Sequence, residues 1–129
     1  MMIQKDITDY WEKEVCGTRF VFSKDKSKNF SEIVKARYKA EPYIKKFAFG
    51  ESNEILKNKK VLEIGVGAGS EFIGFLKRGA ICYGIDVSQA AINETRKNIS
   101  LALEEKDYKL EFLEQVNAEK LPFDDNTFD

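Results

Sequence analysis

The chain has 129 residues, 43% of them apolar and 33% charged, with a formal net charge of −1. That is enough for one globular domain with a core of its own and not comfortably for two. The near-neutral charge excludes a bulk electrostatic pull towards nucleic acid or an anionic membrane, and the absence of histidine excludes Ser-His-Asp and Cys-His sites and argues against a catalytic zinc.

The start, MMIQKDITDYW, lacks the apolar centre of a secretion signal, and no apolar run approaches the roughly 20 residues of a membrane span. Cys16 and Cys82 lie far apart and form no metal-ligand spacing, so they read as reduced thiols of a cytoplasmic protein. TDYWEKEVCGTRFVF predicts a short helix and a loop, followed by a polar, exposed stretch at 23–29. Ser31 is expected to cap a helix whose apolar side is Ile33, Val34, Tyr38 and Ala40. Pro42 disfavours helix at Glu41 and is expected to open a second helix through Phe47. Residues 50–60 read as a polar connection with a turn of helix around Ile55 and Leu56.

From Lys60 the pattern sharpens. KVLEI is a short apolar run ended by glycine and predicts a buried strand. SEFIGFLKR spaces Phe72, Ile73, Phe75 and Leu76 as a helix does, and Gly79 stops it. AICYGID is a second buried strand, Ser88 caps a helix with Ala91, Ile92, Thr95 and Ile99 on one face, and KLEFLEQV is a third, more polar strand nearer a sheet edge. Strand, helix, strand, helix, strand predicts a parallel βαβαβ unit with right-handed crossovers.

Between the first strand and its helix stands VLEIGVGAGSEF, with Gly65, Gly67 and Gly69 at alternate positions and Glu63 just before them. Free N–H groups at the helix start point at whatever lies over such a loop, and glycines let a ligand approach the backbone. The second strand ends in YGIDVS, which places Asp86 beside the loop, where a carboxylate can accept both hydroxyls of a ribose. Gly65 and Gly67 in a simple turn, with Asp86 capping the next helix, is the plainer alternative. A dinucleotide fingerprint needs glycine at position 70, where this chain has Ser70, and pyrophosphate has no use for Glu63. A cationic nucleoside does, and S-adenosylmethionine carries a ribose, a sulfonium and an amino group.

VLEIGVGAG, then GIDVS, then NAEKLPFDDNTFD, in that order, resemble the class I S-adenosylmethionine-dependent methyltransferases of the type acting on small molecules. KARYKAEP and CGT near the N-terminus resemble a bacterial subgroup of these enzymes more weakly. The resemblance implies a Rossmann-like three-layer α/β sandwich with a parallel sheet, here strands 3-2-1 of the doubly wound fold with N-terminal helices. On that reading residues 1–50 are a helical cap segment and 51–129 the first, truncated half of the cofactor-binding domain. Glu63 would hold the ammonium of the cofactor's methionine end. Gly65 and Gly67 would let that end lie against the backbone, and Gly69 would let the helix start close by. Asp86 would bind the ribose, Val87 would pack on the adenine, and Ala118 would offer its N–H to an adenine nitrogen. Asn117 stands where the family usually has Asp and would accept from the adenine amino group, with Glu119 able to share that contact. Arg37, Tyr38 and Tyr43 read as packing or solvated residues, or, by the weaker likeness, as part of a helix over the cofactor.

The implied product is S-adenosylhomocysteine and the implied partner a small-molecule methyl acceptor, with no nucleic acid, membrane or metal. No residue is assigned a catalytic role. A non-catalytic nucleoside-binding or interaction module is the alternative from another class, and a nicotinamide dinucleotide-dependent oxidoreductase is disfavoured by Glu63 and Ser70. Strand one is central in the doubly wound order, so its outer edge is expected to be bare and to invite self-association, unless the N-terminal segment covers it or residues 117–129 lose order.

Overall fold

A computed structural model describes residues 4–15, 26–52 and 55–129. In chain order these form α1 (Gln4–Lys13), α2 (Lys26–Ala40), α3 (Tyr43–Phe49), β1 (Lys60–Ile64), α4 (Ser70–Lys77), β2 (Ile81–Asp86), α5 (Gln89–Ala102), a single 3-10 turn (Glu105–Asp107) and β3 (Lys109–Gln115). The three strands form one parallel sheet in the order β1-β2-β3, so β2 is central and β1 and β3 are its edges. This is a partial Rossmann-like α/β fold, and the βαβαβ unit lies where the sequence pattern places it.

Both crossover helices pack on the same face of the sheet. Phe72, Ile73 and Leu76 of α4, with Ile92 and Ile99 of α5, close over Cys82 and Leu113. Burying an apolar side chain of this size contributes roughly 1.5–3 kcal/mol. Gly84 in β2 is required here, because a Cβ would stand 2.8–2.9 Å from Leu113, Phe72 and Val66. The thiol of Cys82 is free and buried, and burial, with Glu63 nearby, pushes it up to about 12. Cys16, with the CGT motif, lies outside the described residues.

A bulge between β2 and β3 leaves Cys82 opposite Leu110 and Tyr83 opposite Phe112, with Glu111 extra. It puts Leu110 and Leu113, three residues apart, on the helix-covered side, while Phe112 turns to the other face. There Tyr83, Phe112, Phe123 and Phe128 form an edge-to-face cluster with centroids 5.1–5.7 Å apart. The segment after β3, through Phe123 and Phe128, covers that face. Its end reaches the outer edge of β1. The Asp129 N–H donates to Lys60 O at 3.0 Å, and the Lys60 N–H donates to Asp129 Oδ2 at 2.9 Å. Edge cover therefore comes from the C-terminal segment, at Lys60, and Ile64 at the far end of the strand is 57% exposed.

The N-terminal helices differ in detail from expectation. α2 begins at Lys26, so Ser31 lies exposed within the helix and does not cap it. Phe30 supplies the reason: it joins the core beside Ile92 and Ile99, and burying that ring carries the helix further towards the N-terminus through a polar stretch. Ala40 is exposed, and the apolar side is Phe30, Ile33 and Val34. The break at Glu41 and Pro42 is present, with α3 running two residues beyond Phe47 to Phe49. Phe49 packs on α4 at Gly74, where a Cβ would meet its ring at 2.3 Å.

Candidate functional site

The site is built where β1 and β2 end. The Gly65 and Val66 N–H groups donate to Ile85 O at 2.8 and 3.2 Å, which ties the turn to the central strand. Gly65, Gly67 and Gly69 have φ of 80°, 56° and 87°, a region that L side chains avoid. The space a Cβ would fill is open at Gly65 and closed at Gly69, where it would meet Thr95 at 3.0 Å. Gly65 therefore leaves its approach free for a ligand, and Gly69 lets the helix seat against α5. Thr95 also donates through Oγ1 to Gly67 O at 2.9 Å, and buried Asn98 donates through Nδ2 to Ala68 O at 2.9 Å. Thr95 lies on the helix face expected from its spacing with Ala91, Ile92 and Ile99, and Asn98 joins it there. Both are polar residues of α5 that hold the glycine loop, and their burial face at helical spacing was the available signal.

Asp86 is 9% exposed and its carboxylate is already committed to the loop. Oδ2 accepts the Gly67 N–H at 3.0 Å and Oδ1 accepts the Ser88 N–H at 3.0 Å. Each oxygen keeps a second lone pair for a further donor. Ser88 caps α5, accepting the Ala91 N–H at 3.1 Å. Val87 is anchored through its carbonyl, which accepts from Gln115 Nε2 at 2.8 Å. On the third strand's side, the Val116 N–H donates to Asp86 O at 2.9 Å, and Asn117 Oδ1 accepts the Glu119 N–H at 2.9 Å.

These elements border a cavity of about 440 Å³, lined by Gly65, Gly67, Asp86, Val87, Asn117 and Ala118, with Ile64, Ile85, Ala91 and Val116, and on the remaining side by Trp11 of α1 and Val15 just after it. The size is that of a small-molecule site. Glu119 is exposed and lies outside this lining. A second, smaller cavity of about 90 Å³ shares Gly65 and Gly67 with the first and adds Glu63, Arg37, Ser70 and Glu71. Glu63 as a residue is partly exposed, but its Oε2 is sealed from solvent and accepts no hydrogen bond from the described residues. Burial pushes its carboxyl up to about 8, and Glu71 adds to that while Arg37 opposes it. Arg37 donates through Nε to Glu71 at 2.5 Å and through Nη1 to Glu41 at 3.1 Å. Tyr38 lines neither cavity and lies under Lys45, 4.9 Å from its ring centroid, while Tyr43 is exposed and donates to Glu41 at 3.1 Å. The structure thus brings Glu63, Gly65, Gly67, Asp86, Val87, Asn117 and Ala118 to one place, adds Trp11, Val15 and Arg37, and leaves Gly69, Glu119, Tyr38 and Tyr43 outside the two linings.

The family model of the methyltransferase domain matches residues 62–129, more than half of the chain. The chain belongs to that family, as a class I S-adenosylmethionine-dependent methyltransferase domain. It is also 36% identical over 75 residues to an uncharacterized protein of Haemophilus influenzae, a stretch covering 57% of this chain and 28% of that relative. No solved structure gives a significant match. Among the described residues no cluster of metal-ligating side chains is present, and no helix is long and apolar enough to cross a membrane.

Proposed function

We propose that this chain binds S-adenosylmethionine across the β1–α4 glycine loop and that its protein methylates a small-molecule acceptor. The observation that carries the reading is the pairing of the two cavities through Gly65 and Gly67. One offers Asp86 and an apolar wall for a nucleoside, and the other offers the Glu63 carboxyl, whose buried Oε2 accepts no hydrogen bond from the described residues, near a guanidinium, Arg37. A ligand with an adenosine at one end and an amino acid at the other fits that layout. An ammonium would supply the donor that Glu63 Oε2 lacks and return its carboxyl to the charged form. Asp86, with one lone pair per oxygen remaining, would take the ribose hydroxyls.

When bound, S-adenosylmethionine supplies a methyl already attached to a good leaving group. The residues of this chain then bind and orient the cofactor and exclude water, and such positioning can contribute several kcal/mol. In this proposal residues 1–50 are a cap segment and residues 51–129 carry the cofactor-binding part of the domain. Self-association through the β1 edge belongs to the same proposal, supported by the exposure of Ile64. So does a cytoplasmic setting, supported by the free thiol of Cys82.

Calorimetry with S-adenosylhomocysteine and with NAD tests the reading. Tighter binding of S-adenosylhomocysteine is expected, and tighter binding of NAD would overturn it.

A further inference from the structure

Two residues of the larger cavity, Trp11 and Val15, come from a stretch of chain that the family model does not reach. Trp11 stands in the last turn of α1, whose carbonyls lack intrahelical partners. Its carbonyl accepts from Ser88 Oγ at 3.3 Å, and the same hydroxyl accepts the Ala91 N–H at the start of α5. Next to it, the Glu12 carboxylate accepts the Gln89 N–H, and the Ala90 N–H lies 3.3 Å from each of its oxygens. Those N–H groups are the donors that a helix start leaves unmatched. The negative end of α1, with Glu12, thus meets the positive end of α5, an arrangement the helix dipoles favour. Tyr10 lies edge-on to the indole with centroids 4.9 Å apart, which fixes the plane of the ring.

Trp11 stays 37% exposed and borders the cavity whose floor is Gly65, Gly67 and Asp86. A large aromatic that is held by main-chain and carboxylate contacts, yet left partly bare beside a cavity, offers its face to whatever enters. The geometry points to Trp11 as a ligand-contacting residue for the adenosine part of the ligand, with Glu12 as the positioning residue that holds α1 in place. This rests on the reading of the cavity as an adenosine site. It adds a wall supplied by α1 to a site otherwise made by the βαβαβ unit. The methionine part lies with Glu63, in the cavity that Trp11 does not line.

Trp11 is the only tryptophan in the sequence, so its emission reports this position alone. The test titrates the full chain with S-adenosylhomocysteine, adenosine and methionine, following tryptophan emission and acrylamide quenching, with equilibrium dialysis in parallel. Emission is expected to change, and quenching to fall, with S-adenosylhomocysteine and adenosine and not with methionine. Trp11→Ala should weaken S-adenosylhomocysteine binding roughly tenfold, and Trp11→Phe less, with the thermal midpoint of the free protein nearly unmoved. Glu12→Ala should weaken binding about threefold and expose Trp11 to quencher, while Glu12→Gln, which keeps an acceptor oxygen, restores both. Normal S-adenosylhomocysteine binding by dialysis, with unchanged Trp11 emission and with Trp11→Ala and Trp11→Phe as tight as the wild type, would overturn the inference and leave the adenosine site standing. No binding of S-adenosylhomocysteine by dialysis would overturn the adenosine reading and this inference together.

Discussion

Two carboxyl groups flank the glycine loop, and the fold treats them in opposite ways. Asp86, at the end of the central strand, has both oxygens in hydrogen bonds to backbone N–H groups and so helps to build the loop that it serves. Glu63, at the end of the edge strand, has an oxygen shut away from water that accepts no hydrogen bond from the described residues. The first carboxyl stabilises the free protein. The second is held at a cost, because burying an ionised carboxylate without a partner is unfavourable and the group answers by keeping its proton. A carboxyl that costs stability and keeps a buried oxygen without a hydrogen bond is the kind of group a ligand explains.

Replacing Glu63 should break the comparison most sharply. Glu63→Gln keeps the shape and removes the charge, so it should lower S-adenosylhomocysteine affinity by roughly 100-fold, as expected when one partner of a buried charged pair is lost. The same change should stabilise the free protein at alkaline pH. The carboxyl titrates near 8 when folded and at 4.5 in its unperturbed form. Its penalty is therefore absent below about 4.5, grows as pH rises, and is complete above about 8, where it is on the order of several kcal/mol. Thermal midpoints at pH 9 should be higher for Glu63→Gln than for wild type and should converge near pH 5. A variant that melts lower at pH 9 would show that Glu63 stabilises the empty fold.

Titrating the same group in the wild type is the next test. An ammonium ligand needs the carboxylate, so affinity should rise with pH up to about 8 and level off above it. Between pH 8 and pH 6.5 the loss should be at least tenfold, close to the limit of tenfold per pH unit for one proton. Calorimetry in buffers of different ionisation enthalpy should register a proton released on binding at pH 7, and none in Glu63→Gln.

Asp86→Ala should weaken both ligand binding and the empty protein. Binding should fall at least tenfold, from lost hydrogen bonds to a charged acceptor worth about 1.5–3 kcal/mol each. The Gly67 and Ser88 N–H groups also lose their acceptor, so stability should drop by about 1–3 kcal/mol. Denaturant titration without ligand measures this. An unchanged midpoint would mean that Asp86 serves the ligand alone.

Much of this was legible in the sequence. A β-branched run ending in closely spaced glycines, a helix-spaced apolar face and a carboxylate at the next strand end depend on local geometry, and local geometry is what a pattern records. KVLEI, AICYGID and KLEFLEQV, and the cap at Ser88, all stand where the spacing put them. What the pattern could not contain was the outcome of contacts between distant segments. Phe30 buries against α5 and so overrides Ser31 as the helix start. The bulge at Glu111 lets Leu110 and Leu113 share one face, against strict alternation. Trp11 reaches the cavity only because the end of α1 meets the start of α5, an approach across 77 positions of sequence between Trp11 and Ser88. The same holds for the two carboxyls. The sequence by itself determined that Glu63 and Asp86 lie at the ends of adjacent strands beside a glycine loop. Only the tertiary structure decided that Asp86 finds two backbone donors while Glu63 Oε2 finds none, because burial and partners are properties of the assembled neighbourhood and not of the strand that carries the residue.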